Sequence, residues 1–187
     1  MRKIGLFILV TTFVLFSFQG SFAQTKTLTE IGTELKALGL LLGDPDGNMR
    51  FGDNISRVEF TAVAVRLIGK EKDALNSKGT TVFKDVPKDH WGTGHINISV
   101  NEKLIRGYED GTFRFNNNIT YGEALTIIVN ALGYGKDVPA DDWPNNFISK
   151  ANTLGITKGV KVVPDQAVTR GDIAVMLYNS LTVKVKR

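Results

Sequence analysis

The stretch "GYEDGTFRFNNNITYGEA", residues 107–124, has an earlier counterpart in the same chain, "GDPDGNMRFGDNISRVEF" at residues 43–60. Eight of the eighteen positions are identical: Gly, Asp, Gly, Arg, Phe, Asn, Ile and Glu. Chance at average residue usage gives about one match, so this is an internal repeat. Each copy joins a tight-turn dipeptide (Asp46-Gly47, Asp110-Gly111) to a helix start. Glycine supplies the positive φ that such turns require and other residues resist. Phe51 and Phe115 are expected to bring the chain back toward the core.

Working outward, the helix start occurs three times. Ser56-Arg57-Val58-Glu59 and Thr120-Tyr121-Gly122-Glu123 are joined by Thr169-Arg170-Gly171-Asp172. Apolar residues follow each at helical spacing: Phe60, Val63, Ala64, Leu67 and Ile68; then Ala124, Ile127, Ile128, Ala131 and Leu132; then Ile173, Met176, Leu177 and Leu181. Three amphipathic helices with one buried stripe each are expected. Ser or Thr followed three residues later by Glu is a capping box, so Glu59, Glu123 and Asp172 read either as caps alone or as caps with a further role. Ile55 with Phe60, and Val168 with Ile173, have the spacing of hydrophobic staples. In the third copy, Gly159 to Val168 is three residues shorter than its counterpart and has no Asp-Gly, so that turn is reduced.

A second helix is expected upstream of each turn. "HWGTGHINISVNEKLIRG" places Trp91, Ile96, Val100 and Leu104 on one side, and "DWPNNFISKANTLGITKG" aligns with it without gaps, Trp143 on Trp91. The first copy offers only "LTEIGTELKALGLLLG", with Ile31, Leu35 and Leu38 but no tryptophan. The expected fold is therefore mainly α: three helix–turn–helix units joined by a polar linker (70–81) and a short one (134–141). Units this small cannot each bury a core, so they must pack on one another.

The chain opens "MRKIGLFILVTTFVLFSFQGSFAQ". Arg2 and Lys3, an apolar run from Ile4 to Phe18 and Ser21-Phe22-Ala23 have the form of a cleavable signal peptide. The run is shorter than the roughly 20 residues of a spanning helix, and no later segment is apolar enough to span a bilayer. Cleavage after residue 23 gives a secreted chain starting at Gln24. Two basic residues leave with it, so 21 Lys+Arg face 19 Asp+Glu. That balance is too weak to argue for nucleic acid. The absence of cysteine excludes disulfides, thiolate catalysis and Cys-based metal sites. His90 and His95 lack an acidic cluster, and Asp44, Asp46 and Asp53 miss the calcium-loop spacing. The triplets at Asn54, Asn97 and Asn118 are read as caps or turns. No phosphate loop or nucleophile elbow is present.

"FKDVPKDHW" at 83–91 with "LIRGYEDGTFRFNNNITYGEA" resembles the S-layer homology (SLH) domain, whose repeat runs from an F-x-D-V…H-W lead through G-Y-x-D-G-T-F-x-P to I-T-R-A-E. The match is strong in the second copy (82–134), moderate in the third (140–183) and partial in the first (24–70). The resemblance implies a pseudo-threefold helical bundle whose grooves bind a secondary cell-wall polymer, an anionic and often pyruvylated glycan attached to peptidoglycan. Carried over by position, the family arginine falls on Arg57 and Arg170, while Tyr121 stands in its place in the second copy and supplies no charge. The glycan-contacting set is then Arg57, Arg170, Tyr121, Trp91 and Trp143, with core packing open as the alternative for both tryptophans. Ser56, Glu59, Thr120, Glu123, Thr169 and Asp172 support the helix starts, whose free amides and dipoles would favour a carboxylate. The family proline after the turn is absent: Gly52 follows Phe51 and Asn116 follows Phe115.

A wall anchor is thus the leading expectation, with no enzyme activity, metal or cofactor. A structural or adaptor protein of the surface layer, assembling with another surface protein, is the alternative. An enzyme is the weakest of the three, since the chain ends just after the last copy. The basic tail, 184–187, reads either as an aid to polymer binding or as a frayed end.

Overall fold

The computed structural model describes residues 26–186. The signal segment and the expected new N-terminus at Gln24 lie outside the described residues. Among those, seven α-helices follow in order: α1 (Leu28–Ala37), α2 (Arg57–Leu67), α3 (Glu71–Asn76), α4 (Thr93–Asn101), α5 (Tyr121–Ala131), α6 (Asn145–Thr153) and α7 (Arg170–Ser180), with a 3-10 turn at Gly135–Asp137 between α5 and α6. No described helix is long and apolar enough to cross a membrane.

The three repeated helices start as their sequences require. Ser56, Thr120 and Thr169 each hold extended backbone, and each hydroxyl accepts the amide three residues on. Glu59 and Glu123 return the bond to the cap amide at 2.9 and 3.0 Å. Asp172 is one methylene shorter; its carboxylate accepts instead from the Thr169 hydroxyl at 3.1 Å and from the Tyr121 hydroxyl. The lead helix α1 has a full capping box of its own, Thr27 with Glu30, written in "TLTE".

The residues just ahead of these helices form a closed ring. The Ile55 amide donates to the Val168 carbonyl (3.2 Å), Val168 to Ile119 (3.0 Å), and Ile119 back to Ile55 (3.1 Å). All three side chains are fully buried. The ring is threefold in pattern, and it extends outward. Arg57, Tyr121 and Arg170, the first residues of α2, α5 and α7, donate their amides to Asn117, Gln166 and Asp53. Val58, Gly122 and Gly171 donate to Phe115, Pro164 and Phe51. With the third amide held by the cap hydroxyl, the first three donors of each helix are already satisfied. The expectation of free amides awaiting a carboxylate is therefore overturned: the next copy's loop occupies them.

Helices pair across copies rather than within them. α4 packs on α2, α6 on α5, and α1 closes the circle by packing on α7. The degenerate first lead is thus an integral part of the bundle, with Ile31, Leu35, Leu40 and Leu41 in the common core. Phe60, Phe113, Ile96, Leu125, Ile156 and Met176 are among its fully buried members, each contributing roughly 1.5–3 kcal/mol of hydrophobic stabilisation. Phe113 goes deeper than Phe115, which is only partly buried, as is Phe51.

Two local expectations change. α2 buries Val58, Ala62 and Val65 as well as Phe60, Val63 and Ala64, so it has no single stripe. It is enclosed by α3, α4 and α5. The stretch 70–81, expected as a polar linker, contains α3, which lies against α4. A Cβ at Gly94 would meet the Ala74 carbonyl oxygen at 1.9 Å, so only glycine allows this approach. Ala74, Val65 and Ile98 form a small second cluster there. The basic tail is not frayed through Lys186, whose ammonium bonds both Asp137 oxygens at 2.7 Å and whose amide donates to Leu132.

Candidate functional site

Each capped helix starts with the position that carries Arg57, Tyr121 or Arg170, and each such side chain meets the capping acid of another copy. Arg57 Nη1 donates to Glu123 Oε1 at 3.0 Å and Nη2 to the Arg106 carbonyl at 2.6 Å. The guanidinium stacks over Tyr108 and Phe113, 5.0 and 4.9 Å from the ring centroids, and Tyr108 donates to the same Glu123 oxygen at 2.9 Å. Glu123 is therefore split: one oxygen caps its helix, the other holds Arg57. Arg57 is only 5 % exposed, and its Nε is buried without a partner. It lines an open groove of about 600 Å³ with Tyr108, Glu123, Phe147 and Trp143. Trp143 donates from Nε1 to Thr126 Oγ1 at 3.1 Å.

A second, smaller groove of about 240 Å³ repeats the arrangement around Arg170 with Glu59, Arg50, Arg66 and Trp91. Arg170 Nε donates to the Met49 carbonyl at 2.9 Å and Nη2 to Leu42 at 2.7 Å, with Nη1 3.7 Å from Glu59 Oε1. Arg50 Nη2 donates to that oxygen at 3.1 Å. Burial pushes the Glu59 carboxyl up, but the Ser56 hydrogen bonds and the charges of Arg170 and Arg50 outweigh it and hold it below its ordinary value. Burial likewise lowers Arg170, against the pull of Glu59; a guanidinium stays charged regardless.

Both grooves draw on all three copies. The first takes arginine from copy one, acid from copy two and tryptophan from copy three; the second takes arginine from three, acid from one and tryptophan from two. Trp91 and Trp143 are 48 % and 56 % exposed. They stand on groove walls, so the core-packing reading of them fails. A guanidinium has five donors; Arg57 commits two to protein acceptors, leaving three. A fixed cation beside an aromatic face suits an oxyanion carried on a sugar ring.

At the third junction Tyr121 donates its hydroxyl to Asp172, and burial followed by that bond pushes the phenol's pKa up. The position matching the tryptophans is Thr27, the cap of α1. This junction has neither arginine nor tryptophan. Tyr121→Phe leaves the half-buried Asp172 carboxylate with only the Thr169 hydroxyl as side-chain donor and is expected to cost about 1 kcal/mol, read as a lower urea midpoint with unchanged slope.

The sequence reading missed Tyr108, Arg50, Arg66 and the Arg106 carbonyl. Tyr108 had a signal in the G-Y-x-D-G-T-F run, and Arg50 in being one of the eight positions the two copies share; Arg66 and the Arg106 carbonyl had none. Neither histidine lines a groove, though His95 shares the Glu71 carboxylate with the groove cation Arg66. His90 Nδ1 accepts the Gly92 amide at 3.2 Å ahead of α4, and buried His95 bonds Glu71 through Nε2 at 2.9 Å. Among the described residues no cluster of His, Asp and Glu could hold a metal ion.

The fold and its grooves define a repeat-built helical module in which both described grooves are shared among copies. The family model of the S-layer homology domain matches residues 82–125 and 136–174, so the chain carries S-layer homology repeats at those two segments. It is 40% identical over 149 residues to the Middle cell wall protein of Brevibacillus brevis, covering 80% of this chain and 14% of that protein. It is 32% identical over 172 residues to a Cell surface protein of Thermoanaerobacter kivui (87% and 22%). To the Cellulosome-anchoring protein of Acetivibrio thermocellus it is 26% identical over 156 residues (75% and 35%). The chain thus spans about a third or less of each of these relatives.

Proposed function

We propose that this chain is a non-covalent wall anchor on a bacterial surface, reached by export through residues 1–23. Its three copies, 24–70, 82–134 and 140–183, act as one S-layer homology triplet. An anionic sugar of a secondary cell-wall polymer, pyruvylated or otherwise carboxylated, enters the grooves at Arg57 and Arg170. The arginine supplies charge-assisted donors to the carboxylate and Trp143 or Trp91 supplies an apolar face to the ring. Ser56, Thr120, Thr169 and their acids hold the helix starts and take no direct part. No bond is made or broken in this reading, and the chain acts as a binder rather than an enzyme.

The observation that carries it is a coincidence. Arginine, acid and half-exposed tryptophan converge twice from different copies, whereas the third junction lacks the arginine and the tryptophan together. A packing role alone gives no reason for both to be absent at one place. The wall and anchoring names of the relatives point the same way.

The test is co-sedimentation of residues 24–187 with wall sacculi, intact or stripped of secondary polymer. Pelleting is expected only with the polymer. Trp143→Ala, which removes a half-exposed ring and spares the core, is expected to weaken it about three- to tenfold. Equal pelleting with stripped sacculi would move the weight to a surface-layer structural or adaptor role with a protein partner.

A further inference from the structure

The two grooves occupy matching positions in the repeat, yet their charges differ. Besides Arg57 and Glu123, the first groove is lined by Lys103 and Arg106. Both are exposed, and neither side chain makes an ion pair among the described residues. The second groove has Arg170, Arg50 and Arg66 against Glu59 and Asp44. Here the cations are already engaged. Arg50 sits 3.1 Å from both Asp44 and Glu59. Arg66 faces Glu71, with Nε 3.2 Å from Oε2 and Nη2 3.4 Å from Oε1, and His95 holds the same Oε2.

The internal repeat shows where the difference arose. Arg66 lies nine residues after Arg57, and Asn130 nine after Tyr121; Glu71 and Gly135 both lie fourteen after. Four residues past each tryptophan stand His95 and Phe147. The chain Arg66–Glu71–His95 at the second groove is therefore replaced by Asn130, Gly135 and Phe147 at the first, all of them lining it. Of the second set only Arg66 itself lines its groove, the smaller of the two at about 240 against 600 Å³.

We propose that the groove at Arg57 is the primary anion site, with Lys103 and Arg106 as its affinity-determining residues. Glu71 acts oppositely, as a positioning residue that withholds Arg66 from ligand at the second groove. This rests on the reading of the grooves as anionic-glycan sites. Two uncompensated surface cations within a Debye length of the bound charge make a difference of about tenfold at low ionic strength, shrinking as salt is added.

The chain has two tryptophans, one in each groove, so their indole N–H signals report the grooves separately. The experiment titrates anionic fragments released from the wall polymer into the ¹⁵N-labelled mature chain and follows both signals. The Trp143 signal is expected to half-saturate at about tenfold lower ligand than Trp91. The double substitution Lys103→Gln and Arg106→Gln, on exposed side chains, should close most of that gap without moving Trp91. Glu71→Gln should lower the Trp91 midpoint about threefold and leave Trp143 in place. Equal midpoints in the unaltered chain, earlier saturation of Trp91, or a gap that survives the double substitution would each overturn the proposal. If neither indole responds, the anion-site reading of both grooves falls, and this inference with it.

Discussion

Arg57→Ala should lose wall binding and at the same time lower stability by about 3 kcal/mol. Removing one member of a buried, hydrogen-bonded charge pair costs roughly 3–5 kcal/mol, because the other charge stays behind without compensation. The Arg57 side chain is 7 % exposed and Glu123 17 %, so solvent repairs little. The Arg106 carbonyl also loses its donor, and Tyr108 and Phe113 lose the cation between them. Glu123 limits the damage, since Thr120 and Tyr108 still donate to it; this favours the lower end of the range. Urea unfolding followed by tryptophan fluorescence reads the stability, and pelleting well below the transition reads the binding. Arg57→Lys keeps a charge but gives up the planar fork. It should recover part of the stability and little of the binding. A stability loss under about 1 kcal/mol for the alanine would mean that the buried pair does not form as described.

Leu35→Ala in α1 should cost about 3 kcal/mol and lower the stability of the whole bundle together. Leu35 is fully buried where α1 meets α7, and truncating a buried leucine typically costs 2–5 kcal/mol. The informative part is cooperativity. α1 closes the circle of helix pairs, and the Leu42 carbonyl just beyond it holds Arg170. Helical circular dichroism and the fluorescence of Trp91 and Trp143, both outside the first copy, should therefore shift to the same lower midpoint. An early loss of helix with the tryptophan transition unmoved would show instead that the first lead is a loose appendage.

What the sequence made legible was local. Ser56 with Glu59 and Thr120 with Glu123 announce helix starts because a capping box is complete within four residues. The turns at Gly47 and Gly111 do take positive φ, 89° and 76°. Arg57 and Arg170 stood out through the family resemblance and the two tryptophans by alignment of the copies, and the structure places each arginine in a groove with one tryptophan. What could not be read was anything decided between copies. Glu123 lies 66 residues from Arg57, and no pattern within one copy says which neighbour's acid an arginine will meet. The same holds for the helix-start amides, whose partners are carbonyls of another copy's loop. α3 was missed for a different reason: six residues with one buried alanine carry no periodicity. Trp91 was placed by helical spacing on one side with Ile96, Val100 and Leu104, but α4 begins only at Thr93, so the ring lies outside the periodic segment.

The sharing of both grooves among three copies bears on what a single polypeptide allows. No copy holds a site of its own: the third, for example, puts Arg170 in one groove, Trp143 in the other and Asp172 at the third junction. Three separate chains of one repeat could have built the same ring, but symmetry would force their grooves to be identical. Duplication into one polypeptide releases that constraint. Each junction is then free to differ, as a tyrosine at one, a glutamate at another and a glycine at the next do within this single fold.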